Sequence, residues 1–231
     1  MIQLVFTPPW FYGKDILIDI ISIIVLLMIA FFSLRYYRID RKNSNYLFLS
    51  ASFFLIAVSF IFKILTNFTI YYHALDGDKF DFIIFTHSVA KTSGTFFYLG
   101  FFFYRLLTLL GLSALYSIYQ KELPKGNIFL VLYLMVMLTY FSQGTYYVFH
   151  LTSLILMSLI AMQFYRNYRL NKSRTAKLLV ISFVVITISQ LVFIFIKLAP
   201  MLYVAAEFIQ LCGYIMLLFT FIKVLSNAKK T

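Results

Sequence analysis

The sequence predicts an all-α fold: an integral membrane bundle of seven transmembrane helices, with the N-terminus outside and the C-terminus in the cytoplasm. Three observations carry that expectation. Hydrophobic residues make up 62% of the 231 positions. Seven apolar segments approach the roughly 20 residues needed to span a bilayer. The connections between those segments alternate in charge, as membrane orientation demands. Only 12% of the residues are charged, against about 25% in soluble domains, so lipid is the expected solvent.

The segments lie near residues 15–35, 46–66, 93–119, 127–141, 146–165, 177–197 and 201–223, which makes residues 1–231 a single transmembrane domain. The fourth is short and runs into Ser142-Gln143-Gly144-Thr145, a set of turn residues suited to joining two antiparallel helices. Fusing the fourth and fifth segments would give a helix too long for the bilayer. Ahead of the first segment, Thr7-Pro8-Pro9-Trp10-Phe11-Tyr12-Gly13 lacks the basic start and small-residue cleavage site of a signal peptide. Pro8 and Pro9 are expected to break the chain at the outer interface, with Trp10 and Tyr12 among the headgroups. The longest loop, residues 67–92, is expected outside, with Phe80–Phe85 as a short interfacial helix or an extension of the third helix.

Orientation follows from the basic residues. Arg35, Arg38, Arg41 and Lys42 follow the first segment, Lys121 and Lys125 the third, Arg166, Arg169, Lys172, Arg174 and Lys177 the fifth, and Lys223, Lys229 and Lys230 the last. That places 14 of the 20 basic residues on one side, with Lys14, Lys79, Lys91 and Lys197 opposite, beside Asp76, Asp78 and Asp81. The richer side is expected to be cytoplasmic. The net charge of +12 therefore has a topogenic explanation, and no basic stripe of the kind that binds nucleic acid is present.

Lys63 and Arg105 remain inside the spans. Ionisable groups in the membrane are costly and point to function. Asp19 and Lys63 lie about one turn from the outer ends, His150 and Glu207 roughly 6 to 9 Å in, and Arg105 near the middle, at about 1.5 Å per residue. All but Arg105 fall in the outer half. Lys63 and Lys197 are near enough to the boundary to snorkel to water. Glu207 has too short an arm for that and calls for an internal partner, with Lys63, Lys197 and His150 as candidates. Helical spacing gathers polar stripes expected to face inward: Asp19 and Ser22; Ser52, Ser59 and Lys63; Thr95, Tyr98 and Arg105; Tyr146, His150, Ser153 and Met157; Thr187, Gln190 and Lys197; Glu207, Gln210 and Tyr214. From these, Asp19, Lys63, Arg105, His150, Glu207, Gln210 and Tyr214 form the expected ligand-binding set, with interhelical hydrogen bonding as the structural alternative.

Signatures of enzymes are missing from the chain. There is no Gly-x-Ser-x-Gly elbow, His-Glu-x-x-His zinc motif or phosphate loop. The last segment has no central lysine for a retinal Schiff base, since Lys223 stands at its cytoplasmic end. One cysteine, Cys212, allows no internal disulfide, and a zinc site from His87, His150 and Glu207 would require the outer loop to fold inward. No cofactor and no metal are expected. Asn67-Phe68-Thr69 and Asn171-Lys172-Ser173 match the glycosylation pattern. The first abuts a span and the second falls on the cytoplasmic side, so neither is expected to be used.

The run Ala206-Glu207-Phe208-Ile209-Gln210-Leu211-Cys212-Gly213-Tyr214-Ile215-Met216-Leu217-Leu218, continuing to Lys223-Val224-Leu225, resembles the last helix of small archaeal seven-helix membrane proteins and of sensor-like membrane regions. The likeness covers about 20 residues. The chain departs from G-protein-coupled receptors in having no Asp-Arg-Tyr after its third segment and no Asn-Pro-x-x-Tyr in its last. The resemblance implies a sensing or accessory module of the cell membrane, without catalytic activity. Its expected partners are the lipid bilayer, a small-molecule or lipid ligand, and a membrane or cytoplasmic protein. A small transporter or accessory subunit is the alternative expectation. The orientation is tested with single cysteines in a Cys212→Ala background: Gly77→Cys should label from outside and Ser226→Cys only after permeabilisation. Labelling of Gly77→Cys solely from the cytoplasm would reverse the topology.

Overall fold

A computed structural model describes residues 7–39, 41, 43–75, 93–118, 125–142 and 145–228. Seven α-helices occupy them: α1 (Lys14–Ile39), α2 (Asn45–Leu75), α3 (Ser93–Ser117), α4 (Lys125–Phe141), α5 (Tyr146–Asn171), α6 (Arg174–Ile194) and α7 (Met201–Ala228). Six are long and apolar enough to cross a membrane, which makes this a multi-pass membrane protein in class. α4 carries a shorter apolar stretch, Phe129–Phe141.

Several helix limits differ from those expected. α2 runs on to Leu75, and α5 reaches Asn171, because nothing in Asn67–Leu75 or Arg166–Asn171 breaks a helix once it is nucleated. α6 starts three residues early and ends at Ile194. Its early start has a local cause: the Ser173 hydroxyl accepts from the Ala176 amide at 3.1 Å, an N-cap that settles an otherwise orphan donor. Lys172 takes the left-handed conformation, φ 46°, and its N–H donates to the Tyr168 carbonyl at 2.7 Å, closing α5. The tight α5–α6 turn thus consumes the serine of the second glycosylation-like triplet. The region expected to form a short helix near Phe80–Phe85 lies outside the described residues.

The helices pack in a cycle, α1 on α2, α2 on α3, α3 on α5, α5 on α6, α6 on α7 and α7 back on α1, with α4 attached to α3 and only marginally to α5. Its cross-contacts fix the directions. Asp19 meets Lys63 across α1 and α2, Thr108 meets Ser59 across α3 and α2, and Phe164 stacks on Phe183 across α5 and α6. The odd-numbered helices α1, α3, α5 and α7 therefore begin at one end, the upper end below.

Packing is that of a membrane bundle. Large apolar side chains such as Ile24, Phe31, Phe54, Ile155, Ile188 and Phe219 point outward, whereas Ser22, Ser52, Ser59, Ser153, Ser182 and Ser189 are buried. Lipid is as apolar as leucine, so close packing and interhelical hydrogen bonds hold the helices together. The main apolar core joins Leu26, Ile29, Phe53, Ile56, Phe60, Leu112, Ile160, Ile186 and Leu217. These residues lie in the middle and lower parts of their helices; the upper part of the α1–α2–α7 junction combines polar residues with a small apolar cluster of Phe11, Ile18 and Val204.

Small residues set the closest approaches. A Cβ on Gly111 of α3 would lie 2.6 Å from Ile56 Cγ1 and 3.0 Å from the Ser52 carbonyl oxygen of α2. On Gly213 of α7 it would strike Ile186 Cγ1 and come within 3.2 Å of the Ile186 amide nitrogen of α6. The contacted backbone cannot yield as a flexible side chain would. Gly111→Ala and Gly213→Ala are expected to lower the melting temperature in detergent, since overpacking of about 1–3 kcal/mol exceeds the roughly 1 kcal/mol gained in helix propensity. Unchanged melting of both variants would rule out this close packing.

Candidate functional site

Three helices each place two polar residues one turn apart on the face toward the others: Asp15 and Asp19 on α1, Lys63 and Asn67 on α2, Tyr203 and Glu207 on α7. Residues four apart on a helix stand one above the other. Because α2 runs opposite to α1 and α7, the pairs align into two tiers. In the lower tier, Lys63 Nζ donates to Asp19 Oδ1 at 2.7 Å and to Glu207 Oε1 at 2.6 Å. In the upper tier, Asn67 Nδ2 donates to Asp15 Oδ2 at 3.0 Å, and the Tyr203 hydroxyl donates to the same oxygen at 3.4 Å.

Both tiers are withdrawn from the surroundings. Lys63 is 8% exposed, Asp19 0% and Glu207 1%. The chain entering α1 covers them from above. Pro9–Phe11 forms a single 3-10 turn, Gly13 takes a φ of +79° that a side chain would strain, and Phe11 is thereby driven inward against Tyr203 and Phe208. Trp10 remains 51% exposed, with Lys14 Nζ 5.1 Å from its ring centre. One turn below the tiers, Phe60 sits 5.3 Å beneath Lys63 Nζ and edge-on to Tyr104 and Tyr214, which marks the change from polar to apolar core.

Among the candidate partners for Glu207, geometry selects Lys63. The expectation that Lys63 snorkels is corrected: its ammonium turns inward because two carboxylates lie within reach of it. Lys197 is exposed at the end of the chain's turn after α6, over the ring of Tyr146 at 5.1 Å. His150 does not reach Glu207. Its Nδ1 pairs with Gln190 Oε1 at 3.0 Å, and its ring stacks on Phe193. Gln210 Nε2 donates to the Tyr214 hydroxyl at 3.1 Å within α7, so both are buried but bonded to each other. Tyr98 is 50% exposed and leaves the inward stripe assigned to it, and the side chain of Thr95 lies outside the described residues.

Arg105 stands apart, on the α3–α4–α5 side. Its Nη1 donates to the Ser142 carbonyl and, at 3.1 Å, to the Ser142 hydroxyl, while its guanidinium lies 5.1 Å from the Phe101 ring and 5.8 Å from the Phe149 ring. The carbonyl at the end of α4 carries the negative pole of that helix, and aromatic faces attract cations. This is how a guanidinium is held here without an acidic partner among the described residues. Nor do any three His, Cys, Asp or Glu side chains among the described residues gather as metal ligands; His87 lies outside them.

Asp15, Asn67 and Tyr203 were not among the residues singled out from the sequence. The signal was present as three separate four-residue spacings, but only the antiparallel packing of α2 between α1 and α7 superimposes them. In the sequence Asn67 stands out only as part of a glycosylation-like triplet, whereas its buried amide is bound to Asp15.

Removing Lys63 leaves two carboxylates facing each other without a cation. Lys63→Met should therefore destabilise the bundle by about 3–5 kcal/mol, and the triple change Lys63→Met, Asp19→Asn, Glu207→Gln should recover much of the loss. A Lys63→Met protein that melts with the parent would show that the triad does not hold the helices together. Comparisons of this chain with protein-family models, curated proteins and solved structures find no match.

Proposed function

We propose that this chain is a non-enzymatic seven-helix membrane receptor or sensor that binds a small ligand or lipid at its polar tiers and acts through a partner protein. In this reading α4 is the seventh span, the upper end is the outer half of the membrane, and the C-terminus is cytoplasmic. The observation that supports it is the single ammonium of Lys63 held between carboxylates of α1 and α7. Ion pairs inside a membrane are maintained against a desolvation cost and mark functional positions. A ligand that draws away Lys63 or one carboxylate would unfasten one helix from the other two, which is a discrete two-state change of the kind that signalling needs. The chain's likeness in its last helix to sensor-like membrane regions agrees with this reading.

The transporter or accessory-subunit reading draws on Arg105. Its Nε is buried without a hydrogen-bond partner, and together with Glu207 it would line a path through the bundle. The two readings part experimentally. The protein is purified from native membranes and its bound small molecules and proteins are identified by mass spectrometry, and the purified protein is reconstituted in liposomes. A receptor retains a bound compound that Glu207→Gln loses and supports no solute flux. Flux in liposomes, or equal retention of the compound by Glu207→Leu, would overturn the receptor reading.

A further inference from the structure

Two carboxylates close on one ammonium in the lower tier. Fully ionised, the tier holds one negative charge beyond what Lys63 neutralises, inside a bundle whose outer surface is apolar. Among the described residues, its neighbours add no compensating cation. Asp15, one turn above on the same helix, and Glu207 of α7 both raise the negative potential at Asp19, and Lys63 of α2 is the cation that opposes it. Tyr203 of α7 and Tyr104 of α3 complete the surroundings as neutral phenols that interact with the same acids. Arg105 is turned toward Ser142.

A second observation singles out one atom. Asp19 is fully buried, Oδ1 is taken by Lys63, and Oδ2 is buried without any hydrogen-bond partner. A bare carboxylate oxygen in a low-dielectric interior is expensive, and a buried group in that position is neutralised in preference to remaining charged. We propose that Asp19 is a proton-binding site, taking one proton on Oδ2 from water at the upper end while Lys63 remains salt-bridged to Glu207. Only the O–H bond forms or breaks. With the proton bound the tier is neutral; once the proton is lost, the ammonium is shared between two charged acids and the α1–α2–α7 junction carries uncompensated charge. This rests on the reading of the tiers as the functional centre, and it names the proton as a ligand of that centre.

The test uses the whole protein in lipid nanodiscs, with wild type compared to Asp19→Asn, which keeps the Lys63–Glu207 pair. If the native tier binds one proton more than the unfolded chain, stability falls as pH rises. Between about pH 5 and about pH 8 the wild-type melting temperature should drop by about 3 °C or more beyond any change in Asp19→Asn. Infrared spectra of protein with carbon-13-labelled aspartate should also show a protonated carboxyl band that disappears in Asp19→Asn. Parallel pH dependence in the two proteins, or no protonated aspartate in the wild type near neutral pH, would overturn the proposal; the infrared measurement decides even if Asp19→Asn does not fold. A melting temperature raised by sodium chloride over N-methylglucamine chloride, lost in Asp19→Asn and without a protonated band, would also overturn it by assigning the site to a metal ion. These outcomes are independent of whether Glu207→Gln loses a bound compound, so the failure of one reading is distinguishable from failure of the other.

Discussion

The position of one ammonium group organises this bundle. Lys63 lies where hydrocarbon would otherwise surround it, and its cost there is offset only if acids from other helices come to it. Asp19 of α1 and Glu207 of α7 both do so, which brings α1 and α7 together on α2. Closure of the helix cycle between the first and last helices thus depends on an interaction between residues 144 positions apart in the chain. Packing alone would not select this arrangement, because leucine and phenylalanine surfaces match lipid nearly as well as each other.

The same interaction divides the interior by depth. Above Phe60 the α1–α2–α7 junction is built of carboxylates, an amide, a phenol and an ammonium. Below it, Leu26, Phe53, Ile56, Tyr214 and Leu217 fill the space with apolar contacts. An apolar, closely interdigitated lower half resists rearrangement, since the close helix approaches at Gly111 and Gly213 have no space even for an added methyl group. The polar upper half is joined instead by hydrogen bonds and ion pairs between α1, α2 and α7. In the proposed sensor reading, change at the tiers would be transmitted as tilting of α1 or α7 about the lower core.

The α3–α4–α5 side solves a related problem by different means. Arg105 is 4% exposed; its Nη1 is bonded to the carbonyl and hydroxyl of Ser142 and its guanidinium lies near two aromatic rings, while Nε has no hydrogen-bond partner. The guanidinium thereby anchors the end of α4 to α3, which gives the short peripheral helix its fixed place despite its many outward-facing apolar residues. His150 and Gln190 then tie α5 to α6 at a similar level. Polar contacts at this level link α1 to α2, α2 to α7, α3 to α4 and α5 to α6.

The sequence by itself determined the class and the helix inventory. In the sequence, Ile16–Phe32 and Phe53–Phe62 lie within segments long and apolar enough to cross a membrane, and turn residues at Ser142–Thr145 fall between the fourth and fifth segments. It also showed that Glu207 needs an internal partner, because a short carboxylate arm cannot reach water from within a span. What it left open was which partner. Lys63, Lys197 and His150 lie at compatible depths, and depth is all that a one-dimensional reading measures. The tertiary structure decided among them through rotation and neighbourhood: α2 turns Lys63 toward α1 and α7, α5 turns His150 toward Gln190 of α6, and Lys197 falls past the end of its helix. Tyr98 shows the same limit from the other side, since a polar stripe on α3 can be continued outward or inward until neighbouring helices fix its rotation. The upper tier of Asp15, Asn67 and Tyr203 was illegible for this reason, as its members meet only when three helices from distant parts of the chain are brought into register.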